Sequence, residues 1–156
     1  MFEDKISQLE QKIGISFKNK DLLLQALTHR SYLNENTRWH LDQNERLEFL
    51  GDAVLELVVT EYLYNNYPDP EGEMTNWRAA LVNANMLAKI SAEFDLNDFV
   101  LLSRGEARDI GRARQYILAN AIEALIGAMY LDQGYGPSSQ FINRFVLKEL
   151  PDIIDK

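Results

Sequence analysis

The sequence predicts an all-α fold. Along most of its 156 residues, apolar side chains recur three and four positions apart, which places them on one face of a helix. Glycine and proline stand between these segments, where they end or begin helices. No segment shows the convincing alternation of apolar and polar residues that indicates a strand. We therefore expect one helical domain, long enough to bury a core.

The N-terminal half contains three predicted helices. Ile6, Leu9 and Ile13 share a face within residues 3–14, and Gly14 is placed to end this helix. Asn19 or Asp21 caps a second helix through residue 27. The polar stretch 33–39 is interpreted as a loop. Residues 41–67 contain no proline and are interpreted as one long helix, which ends at the prolines 68 and 70.

The C-terminal half continues in the same way. Helices are predicted over residues 71–82 and 83–94, with a kink between them. Residues 103–115 form a local basic patch with arginines at 104, 108, 112 and 114. A nearly all-apolar helix over residues 116–130 is interpreted as central, and Gly134 and Gly136-Pro137 break it. A last amphipathic helix follows, and Pro151 closes the packed part.

Composition restricts the class of function. The chain has 24 acidic and 16 basic residues, a net charge of −8. That balance alone argues against nucleic acid as a ligand but suits a protein whose acids bind divalent cations. The absence of cysteine excludes disulfides and thiolate metal sites. Because no apolar run approaches the ~20 residues of a membrane span and the first four residues do not resemble a signal peptide, we expect a cytoplasmic protein without a membrane partner.

Residues 44–58 carry the candidate chemistry. The predicted buried stripe of their helix consists of Leu47, Leu50, Val54, Leu57 and Val58. Glu45, Glu48 and Asp52 form a second stripe of carboxylates. The alternative interpretation of this stripe is a solvated acidic face. However, Glu48 and Asp52 border the apolar stripe, so we expect both to be partly buried. At ~5 Å and an effective dielectric near 20, their repulsion is roughly 3 kcal/mol, which favours a bound cation such as Mg²⁺ or Mn²⁺.

Gly51 and a second polar pair add to this hypothesis. Glycine in mid-helix costs roughly 1 kcal/mol relative to alanine, unless a close helix neighbour or a ligand needs the space. Asn120 and Glu123 lie three residues apart in the apolar helix and share a face. Either Glu123 pairs with an arginine such as Arg46 or Arg78, or it faces Glu48 and Asp52 across a helix pair and completes one cation site. The spacing leaves both alternatives open.

A family resemblance rests on five segments. Residues 44–55 (NERLEFLGDAVL) resemble the signature of the ribonuclease III family. Four supporting segments follow the family's order: residues 26–32 (ALTHRSY), 71–74 (EGEM), 103–106 (SRGE) and 117–128 (ILANAIEALIGA). The resemblance covers about residues 6–145. It implies that residues 1–156 form a ribonuclease III endonuclease domain, an all-α helical bundle that is homodimeric.

The resemblance also implies an activity. The protein would be a Mg²⁺-dependent endoribonuclease, with Mn²⁺ as a substitute, that hydrolyses double-stranded RNA in the processing of rRNA and mRNA precursors. Each subunit would cut one strand, giving 5′-phosphate products with short 3′ overhangs.

The resemblance assigns roles by motif position. The metal site is expected at Glu48, Asp52, Asn120 and Glu123, which with Glu45 form the catalytic set. Two further roles follow: Glu45 and Glu71 handle RNA or support the chemistry, and Phe49 inserts into the partner subunit. Phosphate binding is expected to fall to scattered basic and polar groups, Arg104 among them. An ordinary core phenylalanine is the alternative for Phe49. Metal-assisted hydrolysis needs no side-chain base, so His29 and His40 are expected to be structural.

Two departures from the family pattern qualify these expectations. The family's usual aspartate is replaced by Asn120, which keeps one carbonyl oxygen for Mg²⁺ but removes a negative charge. We expect a working nuclease with a raised Mg²⁺ requirement. The alternative is a catalytically impaired pseudo-nuclease that binds RNA. Typical bacterial members also carry a double-stranded-RNA-binding domain after the nuclease domain, which we do not expect within these residues. RNA binding is then expected to be weak and salt-sensitive.

Overall fold

The computed structural model describes residues 2–156, and the α-helices within them account for most of the chain. They are Phe2–Ile13 (α1), Lys20–Leu27 (α2), Arg30–Glu35 (α3), Glu45–Asn66 (α4), Glu71–Val82 (α5), Ala84–Ser91 (α6), Arg104–Arg108 (α7), Arg112–Gln133 (α8), Tyr135–Phe145 (α9) and Leu150–Ile154 (α10). Short 3₁₀ helices lie at Ala92–Phe94, Leu96–Asp98 and Leu147–Glu149. Within residues 2–156 there is no β-strand, and the prediction of an all-α fold is confirmed. Met1 of the predicted domain lies outside the described residues.

Several helix boundaries follow from residues that local chemistry identifies. Gly14 has a φ of +78° and follows the last residue of α1. The side chain of Asn19, rather than that of Asp21, accepts the backbone N–H of Asp21 at the start of α2. The predicted kink at Asn83 is a complete break, because its side chain caps α6 by accepting the N–H of Met86 at 2.8 Å. Gly134, with a φ of +83°, ends α8.

The beginning of α4 was predicted wrongly. The helix begins at Glu45 and not at residue 41. The reason is tertiary: the backbone N–H of Asn44 donates to the carbonyl of Thr28 at 2.9 Å, and its side chain donates to the carbonyl of Ala26 at 2.9 Å. Both bonds hold the residue on the α2–α3 segment, outside the helix.

Other predicted breaks also lie inside helices. The predicted loop 33–39 overlaps α3, which His29 caps with its side chain. The central helix α8 begins at Arg112, earlier than predicted. Pro137 and Pro151 lie in the first turns of α9 and α10, where a missing N–H breaks no helical hydrogen bond. Pro151 therefore does not close the packed part, and residues 153 and 154 still pack against the core.

The centre of the molecule is the contact between α4 and α8. A Cβ atom on Gly51 would lie 1.6 Å from the carbonyl oxygen of Glu123, and one on Gly127 would lie 2.2 Å from the carbonyl oxygen of Leu47. The two backbones therefore touch where neither helix has a side chain, which confirms the close helix neighbour expected at Gly51. Helices α2, α6 and α9 pack around α8.

The buried stripe of α4 differs from the predicted one. Leu57 is 56% exposed, whereas Leu47, Gly51, Val54 and Val58 are buried. The contact with α8 at Gly51 fixes which face turns inward, and Leu57 lies on another face.

Within residues 2–156, no helix is both long enough and apolar enough to cross a bilayer.

Candidate active site

One open cavity of about 570 Å³ lies beside the contact between α4 and α8. Its lining residues come from both helices and from the α2–α3 and α3–α4 connections: His29, Arg30, Asn44, Glu45, Glu48, Phe49, Asp52, Ile117, Asn120 and Glu123. The structure thus brings together six residues that the sequence analysis singled out. Gly51 and Gly127 make this possible, because their backbone contact carries the carboxylates of α4 towards Glu123.

Glu123 and Asp52 line the cavity together. Burial is the main cause that raises the pKa of Glu123 to about 9, and the hydrogen bond with Asp52 and the negative charges of Asp52 and Glu48 add to it. At neutral pH the Glu123 carboxyl therefore keeps its proton, and that proton separates two groups that would otherwise repel each other. The alternative arginine partner is not used: Arg78 pairs with Glu56 at 3.0 Å, and no ion pair within residues 2–156 includes Glu123.

Glu48 and Asp52 differ in exposure. Glu48 is half-buried, and burial, followed by the charges of Glu45 and Asp52, raises the pKa of its carboxyl. Asp52 is exposed, so the expectation that it would be partly buried is wrong. It follows Gly51 directly in the sequence, and one residue turns the helix by about 100° away from the contact. Both carboxylates nevertheless line the same cavity.

The donor atoms of the cavity suit a hard divalent cation. Three carboxylates and the amide of Asn120 supply only oxygen ligands from α4 and α8, as Mg²⁺ and Mn²⁺ prefer. A cation would offset the negative charges of Asp52 and Glu48, which add to the raised pKa of Glu123. Within the described residues 2–156, no three Asp, Glu or His side chains stand in a geometry that would hold a metal ion. The fit is therefore one of donor chemistry, and binding requires these side chains to turn towards a common centre.

Two predicted site residues lie elsewhere. Glu71 is exposed and lines a separate cavity between α4 and α5 together with Tyr64 and Arg78. Arg104 is exposed at the start of α7, where its backbone N–H donates to the Glu35 carboxylate at 3.1 Å. Neither lines the carboxylate cavity. The structure therefore does not bring Glu71 and Arg104 together with the four residues of the expected metal site.

The basic patch of residues 103–115 is smaller than predicted. Arg114 is only 7% exposed, and its guanidinium donates to the side-chain oxygen of Asn97 and to the carbonyl of Glu106. It therefore anchors α8 to α7 and to the 3₁₀ helix Leu96–Asp98, and is not part of a charged surface. The other three arginines of the patch are exposed.

Phe49 is 82% exposed at the rim of the cavity. It is therefore not a core residue of its own chain, and the core alternative is wrong. A second apolar cavity begins on the same side of α4, and Leu22, Leu50 and Leu131 contribute to its lining. Further exposed apolar side chains on α4 are Leu57 and Tyr64.

His29 and Arg30 line the cavity although the sequence analysis gave neither a chemical role. The Nδ1 atom of His29 accepts the backbone N–H of Ser31 at 3.2 Å and caps α3, and burial lowers the pKa of its ring. The signal in the sequence was the segment 26–32 itself. Its place beside the carboxylates depends on the bridge between Thr28 and Leu101, which joins residues distant in sequence.

Comparisons with known proteins agree with this arrangement. A family model described as Ribonuclease-III-like matches residues 19–150. The chain is 51% identical over 146 residues to Ribonuclease 3 of Oceanobacillus iheyensis, covering 93% of this chain and 64% of that protein. It is 47% identical over 154 residues to Ribonuclease 3 of Chloroflexus aurantiacus, covering 97% and 63% respectively. The chain thus spans less than two thirds of the length of these relatives.

Two solved structures from Campylobacter jejuni are also similar. One nuclease domain of ribonuclease III superimposes with a TM-score of 0.83 at 44% identity, covering 94% of this chain and 99% of that one. Its description reports structural flexibility in a region involved in dimer formation. A second structure of the same nuclease domain has a TM-score of 0.81 at 43% identity and covers 93% and 95%.

Proposed function

The chain belongs to the ribonuclease-III-like family, and from this premise we propose that it is an endoribonuclease that hydrolyses double-stranded RNA with Mg²⁺, or with Mn²⁺ as a substitute. The observation that carries the proposal is the single cavity in which Glu48, Asp52, Asn120 and Glu123 meet beside the backbone contact of α4 and α8. The products of the proposed RNA hydrolysis have 5′-phosphate ends and short 3′ overhangs. Residues 1–156 then act as a nuclease domain, in cytoplasmic processing of rRNA and mRNA precursors.

The four residues have distinct tasks in this proposal. Glu48, Asp52 and Glu123 supply carboxylate ligands, and Asn120 supplies its carbonyl oxygen. Once bound, a divalent cation lowers the pKa of an attacking water and neutralises charge that develops on the phosphate. Glu123 must first release its carboxyl proton, because only the ionised form is a strong ligand. The backbone contact at Gly51 keeps the two helices, and so the carboxylates, in a fixed relation.

Homodimerisation is part of the proposal. Phe49 is almost fully exposed, and the apolar cavity beside Leu50 and Leu131 offers a complementary surface for a second copy. Each subunit would then cut one strand of the duplex. Glu71 and Arg104 lie outside the carboxylate cavity, so we assign them to RNA contacts away from the cleaved bond. Glu45 lies at the cavity itself and supports the chemistry there.

The residue that favours the alternative of an RNA-binding pseudo-nuclease is Asn120. The amide lies in the same cavity as the three carboxylates and keeps an oxygen for the cation. The comparisons give this alternative no support, since the relatives are named as ribonucleases. We therefore retain the nuclease as the proposed function.

The proposal is tested with end-labelled RNA of about 30 base pairs, long enough to extend well beyond the ~16 bp that a double-stranded-RNA-binding domain spans, incubated with Mg²⁺ or with EDTA. The single strand of the same sequence is the matched substrate control. We expect duplex cleavage only with Mg²⁺, with 5′-phosphate ends and staggered cuts, and little cleavage of the single strand. Equal cleavage of both substrates, or no cleavage with Mg²⁺ or Mn²⁺ while the duplex still binds, would contradict the proposal.

A further inference from the structure

Arg30 is the one permanently charged cation among the side chains that line the carboxylate cavity. We propose that Arg30 binds a backbone phosphate of the RNA strand that enters this cavity, and thereby sets the affinity for substrate. This inference rests on the proposed function. It gives the site a cationic substrate-binding residue in addition to the acids.

The guanidinium of Arg30 is free to take a phosphate. Its side chain is 74% exposed, and the nearest carboxylate is that of Glu45, whose Oε1 lies 3.7 Å from Nη1. Glu45 is itself 54% exposed. An exposed ion pair of this kind is worth only about 0–1 kcal/mol, so a phosphate can replace it at small cost. The planar guanidinium can also bind two oxygens of one phosphate at once, so this contact is stronger than its single contact with the Glu45 carboxylate.

The backbone that carries Arg30 is held firmly. The N–H of His29 donates to the carbonyl of Leu101 at 3.1 Å, and the N–H of Leu101 donates to the carbonyl of Leu27 at 2.8 Å. Asn44 bonds to Thr28 directly before α4, as described above. Arg30 therefore combines a fixed attachment point beside α4 with a free charged end, which reduces the entropy lost on binding.

The negative charge of the cavity explains why a cation at the position of Arg30 would help RNA to bind. The carboxylates of Glu45, Glu48 and Asp52 line the cavity and repel an incoming phosphate. A cation at the mouth offsets that repulsion where the RNA strand enters. The competing explanation is that Arg30 only neutralises the negative charge of the cavity acids, and it predicts different effects of substitution. Loss of RNA affinity in Arg30→Gln fits both explanations, but Arg30→Lys separates them: lysine keeps the charge and would restore the affinity completely if Arg30 only neutralised the acids, whereas it lacks the two-pronged guanidinium contact and restores only part of the affinity if Arg30 binds a phosphate.

The test compares Arg30→Gln and Arg30→Lys with the wild-type protein. Lys5→Gln is the matched control, since Lys5 is exposed, lines none of the cavities described here and forms no ion pair within residues 2–156. Duplex cleavage at saturating Mg²⁺ gives KM and kcat. Fluorescence anisotropy of a labelled duplex in Ca²⁺ gives Kd over a range of salt concentrations, independently of cleavage.

For Arg30→Gln we expect KM and Kd to rise about tenfold, with kcat changed by less than about twofold, and the slope of log Kd against log salt to fall by about 0.9. Arg30→Lys should restore part of the affinity, and Lys5→Gln should keep the wild-type slope. Unchanged Kd and slope in Arg30→Gln, a lowered Mg²⁺ requirement alone, or complete restoration of the affinity by Arg30→Lys overturns the inference. A wild-type protein that binds but does not cut overturns the proposed function, while anisotropy still decides on Arg30. A wild-type protein that neither binds nor cuts overturns both.

Discussion

At the scale of single residues, Asn120 has the clearest chemical consequence. It stands where the ribonuclease III pattern has aspartate, and it lines the cavity with Glu48, Asp52 and Glu123. An amide oxygen is a neutral ligand, so the proposed cation site has one negative charge less than the family pattern provides.

Asn120→Asp should therefore lower the Mg²⁺ concentration for half-maximal duplex cleavage by roughly tenfold, because ligand charge count sets cation affinity. The measurement is a Mg²⁺ titration of cleavage for both proteins in the same buffer. Asn143→Asp is the charge control, as Asn143 is exposed on α9 and lines none of the cavities described. If the two titration curves of Asn120→Asp and wild type coincide, Asn120 is not a ligand.

A second residue-scale prediction concerns Asp132, which lies on α8 and outside the carboxylate cavity. Its carboxylate accepts the backbone N–H groups of Lys18 at 2.8 Å and Asn19 at 2.9 Å. Burial acts to raise the pKa of Asp132, but the hydrogen bonds from Gln133, Lys18 and Asn19 outweigh it and lower the pKa below its usual value. The group therefore stabilises the fold above its unfolded pKa of about 3.9, and this contribution is lost as pH falls through the lower folded value.

Asp132→Ala should accordingly lower the free energy of unfolding at pH 7 by about 1 kcal/mol, a value reduced for solvent exposure. The difference from wild type should shrink as pH falls below about 4. Urea unfolding at pH 7 and at pH 3 measures both values. A difference of the same size at the two pH values would show that the carboxylate charge is not the cause.

At the scale of elements, the contact between Gly51 of α4 and Gly127 of α8 positions the site. Gly51→Ala would place a methyl carbon 1.6 Å from the carbonyl oxygen of Glu123, and Gly127→Ala would place one 2.2 Å from the carbonyl oxygen of Leu47. The helices must separate, which should cost roughly 3 kcal/mol or more and move the carboxylates apart. Gly136→Ala in α9 is the matched control, because a Cβ there has no neighbour within 4 Å.

Thermal or urea unfolding of the three variants measures this effect. We expect a large loss of stability for the two central variants and a change of about 1 kcal/mol or less for Gly136→Ala. Wild-type stability in Gly51→Ala would mean that the two helices are not in backbone contact. Any surviving folded fraction of the central variants should also cleave duplex RNA more slowly.

The elements also show what could be predicted from the sequence. Gly14 and Asn19 end or cap helices through bonds within a few residues, so local reasoning identified them, whereas only a kink was predicted at the cap residue Asn83. The start of α4 was missed because Asn44 bonds to Ala26 and Thr28, far away in sequence. Pro137 and Pro151 were interpreted as breaks because a proline at a helix start and one after a helix end look alike without the neighbouring structure.

For the site, spacing identified the two polar pairs but not their relation. Glu48 with Asp52 and Asn120 with Glu123 each share a helix face, which follows from sequence alone. Their meeting depends on the contact of two distant helices, and the family resemblance, not the spacing, predicted it. Arg30 was missed because the backbone bridge that places it joins residues 28 and 101.

At the scale of the whole molecule, the proposed homodimer depends on Phe49 as its exposed aromatic contact. The side chain is 82% exposed beside an apolar cavity, which is unfavourable for an isolated chain in water. Phe49→Ala should weaken self-association about tenfold or more, since a buried aromatic anchor typically contributes more than 1 kcal/mol. Sedimentation over a range of concentrations measures the dissociation constant. Ile110→Ala is the control, because Ile110 is 79% exposed outside α4.

Two results would contradict the dimer proposal. One is a wild-type protein that remains monomeric at all concentrations, and the other is an equal effect of Phe49→Ala and Ile110→Ala. If Phe49→Ala is monomeric, its cleavage of duplex RNA should also fall, because each subunit is proposed to cut only one strand.

The most direct test of the central claim is duplex cleavage by Glu123→Gln across a Mg²⁺ titration. Glu73→Gln is the control, since Glu73 is exposed on α5, lines none of the cavities described and forms no ion pair within residues 2–156. If Glu123 helps to hold the cation, Glu123→Gln should lose about 100-fold or more in cleavage, because changing even the groups that only orient metal ligands typically costs about 10–100-fold, while Glu73→Gln stays within about threefold. Wild-type cleavage by Glu123→Gln at every Mg²⁺ concentration would show that the cavity between α4 and α8 is not the active site.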